Sequence, residues 1–167
     1  MKKMKKSLLV ILTSLLILIS ACAVQQQQPA QPKQLSEHIM IAPSEIQWKP
    51  GPVSLPPGAK FFLIEGNLSA AEPFTFRLQF PAGYKIAPHT HPAVEHVTVI
   101  SGILFFGAGT KFDETKAKAF PAGSVMFMPI GEAMFGYTEE ETVIQVHGIG
   151  SWGLNYVNPA DDPRIKK

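Results

Sequence analysis

Residues 74–80 alternate without a break. Phe74, Phe76, Leu78 and Phe80 fall on one face of an extended chain, and Thr75, Arg77 and Gln79 on the other. A helix would scatter those four apolar side chains around its circumference, whereas a strand lines them up for burial. The run ends in the tetrapeptide FPAG, which returns 40 residues later at Phe120–Gly123. In each copy Pro sets φ at the entry and Gly admits a positive φ at the exit. The two therefore read as equivalent turns, each releasing a strand, and two copies do not make a repeat protein.

Around that strand the rest of the chain reads as β. Strands are predicted at 45–49, with Trp48 as a core plug, and at 60–65, 94–100, 103–106, 124–128, 134–138, 142–149 and 152–157. Ser101-Gly102 is a hairpin turn between two of them. The stretch 50–59, PGPVSLPPGA, holds four prolines and is a stiff loop. Residues 110–118 are polar and read as a loop with a short pairing segment, and Glu139-Glu140-Glu141 as a solvated turn. No helix is predicted. Nine or so short strands joined by tight turns imply an all-β antiparallel barrel or sandwich.

The N-terminal part has a different character. Lys2, Lys3, Lys5 and Lys6 precede an apolar run from Leu8 to Ile19, and Ser20-Ala21-Cys22 follows. A basic start, a short apolar middle and small residues before a cut site describe an export signal. Only 15 residues separate Lys6 from Cys22, short of the roughly 20 needed to span a bilayer. The stretch ISAC resembles the lipobox of bacterial lipoproteins, which implies a lipid-anchored protein of the cell envelope facing the periplasm or the exterior. An ordinary secretory signal with Cys22 near the cleavage site is the other reading. Cys22 is the only cysteine, so no intrachain disulfide can form. The expected organisation is a signal peptide over 1–21, the lipidated Cys22 with a flexible Gln/Pro tether over 22–43, a β-barrel domain over 44–158 and an irregular tail over 159–167. The formal charge of +2 depends on the four leading lysines. Without residues 1–21, 11 basic residues face 13 acidic ones and the net charge is about −2, which leaves no basic patch of the kind nucleic acid requires.

The chemistry concentrates in Gly83–Gly102, GYKIAPHTHPAVEHVTVISG, which holds three of the five histidines. Residues two apart on a strand face the same way, about 7 Å between Cα atoms, so His89 and His91 can aim at one point. Glu95 would lie about 13 Å beyond His91 on a straight strand, so Pro92 and Ala93 must turn the chain to bring it back. Two imidazoles and a carboxylate suit Fe, Mn, Ni, Cu or Zn, and with open positions they form the facial triad of non-haem iron oxygenases. The residue types alone equally describe two surface histidines before a turn and a salt-bridged glutamate. His96, next to Glu95, faces the other side. On 142–149, Val143, Gln145, His147 and Ile149 share a face. If that face looks inward His147 could reach the metal, and otherwise it is a core histidine bonded to backbone.

The spacing Gly83-x5-His89-x-His91-x3-Glu95-x6-Gly102 resembles the first cupin motif at every defining position. The second cupin motif, G-x5-P-x-G-x2-H-x3-N, is met by Gly123, Pro129 and Gly131, but its histidine falls on Met134 and its asparagine on Thr138. The resemblance covers residues 44–158. It implies a small jelly-roll-like antiparallel β-barrel, commonly a homodimer, with a mononuclear divalent transition metal held inside by His89, His91 and Glu95. Met134 puts a thioether, a poor ligand for hard ions, where a fourth ligand belongs. The position is then open to water, substrate or O₂, or another residue such as His147 fills it, or the site has decayed.

Three functions are compatible with these residues. One is a metal-dependent enzyme acting on a small molecule, an oxygenase, isomerase or lyase, with Phe76, Phe105, Phe127 and Tyr137 as pocket walls. Another is a non-catalytic envelope lipoprotein that binds a small molecule or a metal. The third is a structural or protein-binding role for a decayed site. Fold alone does not choose between them.

Overall fold

A computed structural model describes residues 38–165. The predicted signal peptide, Cys22 and all but the end of the tether lie outside the described residues. Among the described residues eleven strands form two antiparallel sheets. The larger has the order β1 (Lys49–Pro50), β2 (Lys60–Glu65), β3 (Pro73–Phe80), β10 (Thr142–Ile149), β5 (Glu95–Ser101) and β8 (Val125–Met128). The smaller has the order β11 (Asn155–Tyr156), β4 (Lys85–Thr90), β9 (Met134–Tyr137), β6 (Ile103–Ala108) and β7 (Lys118–Pro121). The only helical turns among the described residues are three 3₁₀ segments of three residues each.

The alternation on β3 does what its pattern requires. Phe74, Phe76, Leu78 and Phe80 are buried between the sheets, while Thr75, Arg77 and Gln79 are half-exposed on the outer face. β10 pairs with β3 along its whole length, and its inward residues are Thr142, Ile144 and Val146. Val97 and Val99 of β5, Leu104 of β6 and Met128 of β8 complete the core. Non-directional burial of these side chains is the main stabilising term, and the ladders satisfy the backbone polar groups that go in with them.

The two FPAG segments are equivalent turns. Tyr84 N–H donates to Pro81 O and Ser124 N–H to Pro121 O, with Gly83 and Gly123 at φ +73° and +88°. Gly102 closes the β5–β6 hairpin at φ +73°, where a Cβ would lie 2.5 Å from the carbonyl oxygen of Glu141.

Two expected strands differ. Residues 43–45 form a 3₁₀ turn with Pro43 at its start, and only Lys49–Pro50 pairs with β2. Trp48 is half-exposed rather than a core plug. The last predicted strand contracts to Asn155–Tyr156, and Trp152 and Leu154 are free to turn inward from the loop before it.

Candidate functional site

The motif residues cross from one sheet to the other. His89 sits near the end of β4 in the smaller sheet, and His91 follows just past that strand. Pro92–Val94 turn the chain, and Glu95 opens β5 in the larger sheet. The turn predicted at Pro92 and Ala93 is therefore what makes the three side chains neighbours. Gly131 N–H donates to the His91 carbonyl (3.1 Å), so the turn after β8 clamps this corner. Tyr156 of β11 pairs with His89, and Met134 of β9 pairs with it from the other side.

All three ionisable side chains are buried, with relative exposures of 4–5%. The Nε2 atoms of His89 and His91 face each other at 3.1 Å, with the rings nearly perpendicular. Nδ1 of His89 lies 2.8 Å from Ala87 O, and Nδ1 of His91 lies 2.9 Å from Gly153 O. A carbonyl oxygen only accepts, so satisfying both contacts puts the ring proton on Nδ1 in each histidine. Both Nε2 atoms are then bare lone pairs aimed at one another, an arrangement that asks for a cation between them. Glu95 meets His91 at Nδ1, with Oε1 3.1 Å away, and the indole N–H of Trp152 donates to that same oxygen.

Burial sets the protonation states. Loss of solvent lowers His89 to about 4, against a small opposing effect of its bond to Ala87. It lowers His91 to about 3, helped by His89 alongside and opposed by the bond to Gly153. The same loss of solvent raises Glu95 to about 8, with the Trp152 hydrogen bond pulling the other way. At neutral pH the metal-free site is a cluster of neutral groups, not a salt bridge.

Neutral imidazoles with paired, inward lone pairs fit a transition metal ion. The carboxylate stands differently. Among the described residues no three His, Cys, Asp or Glu side chains converge as a metal-holding group. The structure brings His89, His91 and Glu95 together, yet Glu95 is turned to the far nitrogen of His91.

These residues end an apolar cavity of about 60 Å³ between the sheets. Leu78, Phe80, Val97, Ile144 and Val146 line it from the larger sheet, and Ile86, Leu104, Phe106 and Met134 from the smaller. Among the described residues, His89, His91 and Glu95 are the only ionisable side chains in its wall. Leu55 closes it from the proline-rich loop. Tyr84 and Tyr156 hold that loop down by donating to Pro56 O (2.5 Å) and Ser54 O (2.7 Å).

Met134 is buried in the cavity wall beside His89, where the motif spacing puts it. Thr138, at the asparagine position, is buried and donates through Oγ1 to Pro81 O (2.8 Å), a role within the turn. His147 does not reach the cavity. The inward face of β10 is the Thr142, Ile144, Val146 set, so His147 is exposed on the outer face, stacked on His96. The expected pocket walls are also corrected. Phe76 is core behind Trp152, Phe105 and Tyr137 stack on each other away from the cavity, and Phe127 is exposed. Alternation assigns residues to two faces without saying which is inside. Trp152 and Leu154, expected on a strand, and Leu55 enter from loops, where no periodicity marks the inward direction.

No protein-family model matches the chain, and no curated protein matches it. Solved structures do. The polyketide cyclase RemF from Streptomyces resistomycificus is 14% identical at a TM-score of 0.60, over 76% of this chain and 90% of that one. An acetylacetone dioxygenase from Acinetobacter johnsonii is 16% identical at a TM-score of 0.58, over 80% and 85%. An RmlC-like cupin from Shewanella frigidimarina is 16% identical at a TM-score of 0.53, over 68% and 91%. At these identities the likeness concerns fold, and the fold is that of the cupins, a jelly-roll-like pair of antiparallel sheets.

Proposed function

We propose that this cupin fold serves a metal-dependent enzyme for a small, largely apolar molecule. A divalent transition ion would be held by His89 and His91, with Glu95 the carboxylate available to them. The observation that carries the reading is the pair of Nε2 atoms 3.1 Å apart, each ring anchored through Nδ1 to a backbone carbonyl, at the end of an apolar cavity. Bound there, the ion would act as a Lewis acid toward a substrate oxygen or bind O₂. The protein's own residues orient the imidazoles, hold Glu95 through Trp152, and exclude water with Leu55 and the core side chains around it. Met134 adds bulk beside His89 without a hard donor, so the substrate's polar end has room only at the histidines. The fold is shared with a dioxygenase and a cyclase, and the reaction proposed is of the oxygenase, isomerase or lyase kind.

A second reading, a binding protein without turnover, is favoured by one observation: among the described residues the cavity wall holds no acid or base beyond the three clustered groups. Under either reading we place the protein at the cell envelope, anchored through a lipid on Cys22, with residues 44–158 as the barrel domain. Metal content of the purified full chain in detergent tests the site. We expect bound metal in the native chain and its loss in His89→Ala and His91→Ala. No metal after reconstitution removes the enzyme reading, and metal retained in both variants moves the site elsewhere. Membrane fractionation of Cys22→Ser tests the anchor, and unchanged membrane association would overturn it.

A further inference from the structure

The outer face of the larger sheet carries a second histidine constellation. A row of cross-strand partners runs from β8 to β2: Phe127, His96, His147, Thr75 and Glu65. His96 and His147 are directly opposite each other, and both are exposed. Their rings lie parallel, 9° apart in tilt, with centroids 4.8 Å apart. Phe127 packs its edge on the far side of His96 (5.2 Å, 67°). Among the described residues neither imidazole has a hydrogen-bond partner, whereas the neighbouring Glu65 is already engaged by the Thr75 hydroxyl at 2.8 Å.

We propose that His96 and His147 form an exposed two-imidazole chelate for a borderline divalent transition ion, on the opposite side of the sheet from the cavity. Imidazole nitrogens bind such ions at about 2.0–2.1 Å, so two of them on one ion sit within about 4 Å of each other. Side chains directly opposite on an antiparallel ladder have Cβ atoms about 4.5–5.5 Å apart. From a centroid separation of 4.8 Å, the chelate requires the two rings to turn about their outer torsions until a nitrogen of each meets one ion. The ladder holds both Cα positions in register, so little ordering entropy opposes closure. Water fills the remaining positions, because the face is open to solvent. Imidazole suits copper, nickel and zinc, and the order of affinities puts Cu²⁺ first. With the carboxylate of Glu65 engaged by Thr75, the pair offers nitrogen alone, which disfavours Mg²⁺ and Ca²⁺.

The probe is Cu²⁺, added as its weak glycine complex to the metal-free full chain, with bound copper read by equilibrium dialysis. Native protein takes up copper at this site. His96→Gln and His147→Gln each weaken that uptake by roughly tenfold or more, the advantage of a second ligand held nearby. His38→Gln, at an exposed histidine that belongs to neither cluster, changes nothing. A rise in the urea unfolding midpoint on adding copper to the His89→Gln/His91→Gln chain, lost when His147→Gln is added to it, is the second readout. It comes from binding that bridges two strands of the folded state only. Uptake equal in the native chain and both variants, or lowered as much by His38→Gln, overturns the proposal. The interior site is tested apart from this one, since the double variant His89→Gln/His91→Gln keeps both outer histidines. Copper lost in that variant alone speaks to the cavity and overturns the outer chelate.

Discussion

Acidifying the metal-free protein should lower its stability through a window set by the two buried imidazoles, and the double variant His89→Gln/His91→Gln should reverse the sign. His89 and His91 titrate at about 4 and about 3 in the folded state, against 6.5 when exposed. Below pH 6.5 the unfolded chain takes up two protons that the folded chain refuses, so stability is lost as pH falls. Glu95 acts oppositely. Its folded value of about 8 exceeds 4.5, so the folded state holds a proton the unfolded chain has released, and stability is lost as pH rises through that window. Each proton of difference is worth about 1.4 kcal/mol per pH unit. Between pH 8 and 6.5 only Glu95 counts, and stability rises toward a maximum near pH 6.5. Between 6.5 and 4.5 the histidines cost about 2.8 kcal/mol per pH unit and Glu95 returns about 1.4, a net loss of roughly 3 kcal/mol over the window. That is a large share of a total stability of roughly 5–15 kcal/mol. Urea unfolding with a chelator present, at pH 8, 6.5, 5.5 and 4.5, reads it as a midpoint shift of roughly 1–2 M. In the double variant the histidine contribution is gone, and stability should instead increase from pH 6.5 to 4.5. Identical pH profiles for the two proteins would refute the claim that these rings are buried, neutral and unpaired with a charge.

Three further outcomes are expected. Metal affinity should rise by about tenfold per pH unit up to about pH 8 if Glu95 must surrender its proton to serve as a ligand, and Glu95→Gln should flatten that slope in competition titrations. Met134→His puts a nitrogen beside His89 and should tighten metal binding by at least about tenfold, about 1.4 kcal/mol, measured by chelator competition. Gly102→Ala forces a side chain into a left-handed turn against the Glu141 carbonyl and should cost about 1–3 kcal/mol in urea unfolding.

Much of the site was legible in the chain. The x, x3 and x6 spacings around His89, His91 and Glu95 identified the clustered residues, and Pro92 marked the turn that joins them. The resemblance to the second motif put Met134 at its histidine position, and in the structure Met134 pairs with His89. The protonation states were not legible, because they follow from burial, and neither was Trp152, which reaches Glu95 across 57 residues of sequence.

The amino-acid sequence alone determined the strand alternation, the two FPAG turns, the Gly102 hairpin and the residues available for chemistry, because these depend on local sterics and on a period of two. Tertiary structure decided which face of each strand is inside. β10 could have presented either set, and pairing between β3 and β5 buried Thr142, Ile144 and Val146 and sent His147 outward. It also decided that Leu55 and Trp152 close the cavity, since side chains on loops take their direction from whatever surface is left to cover.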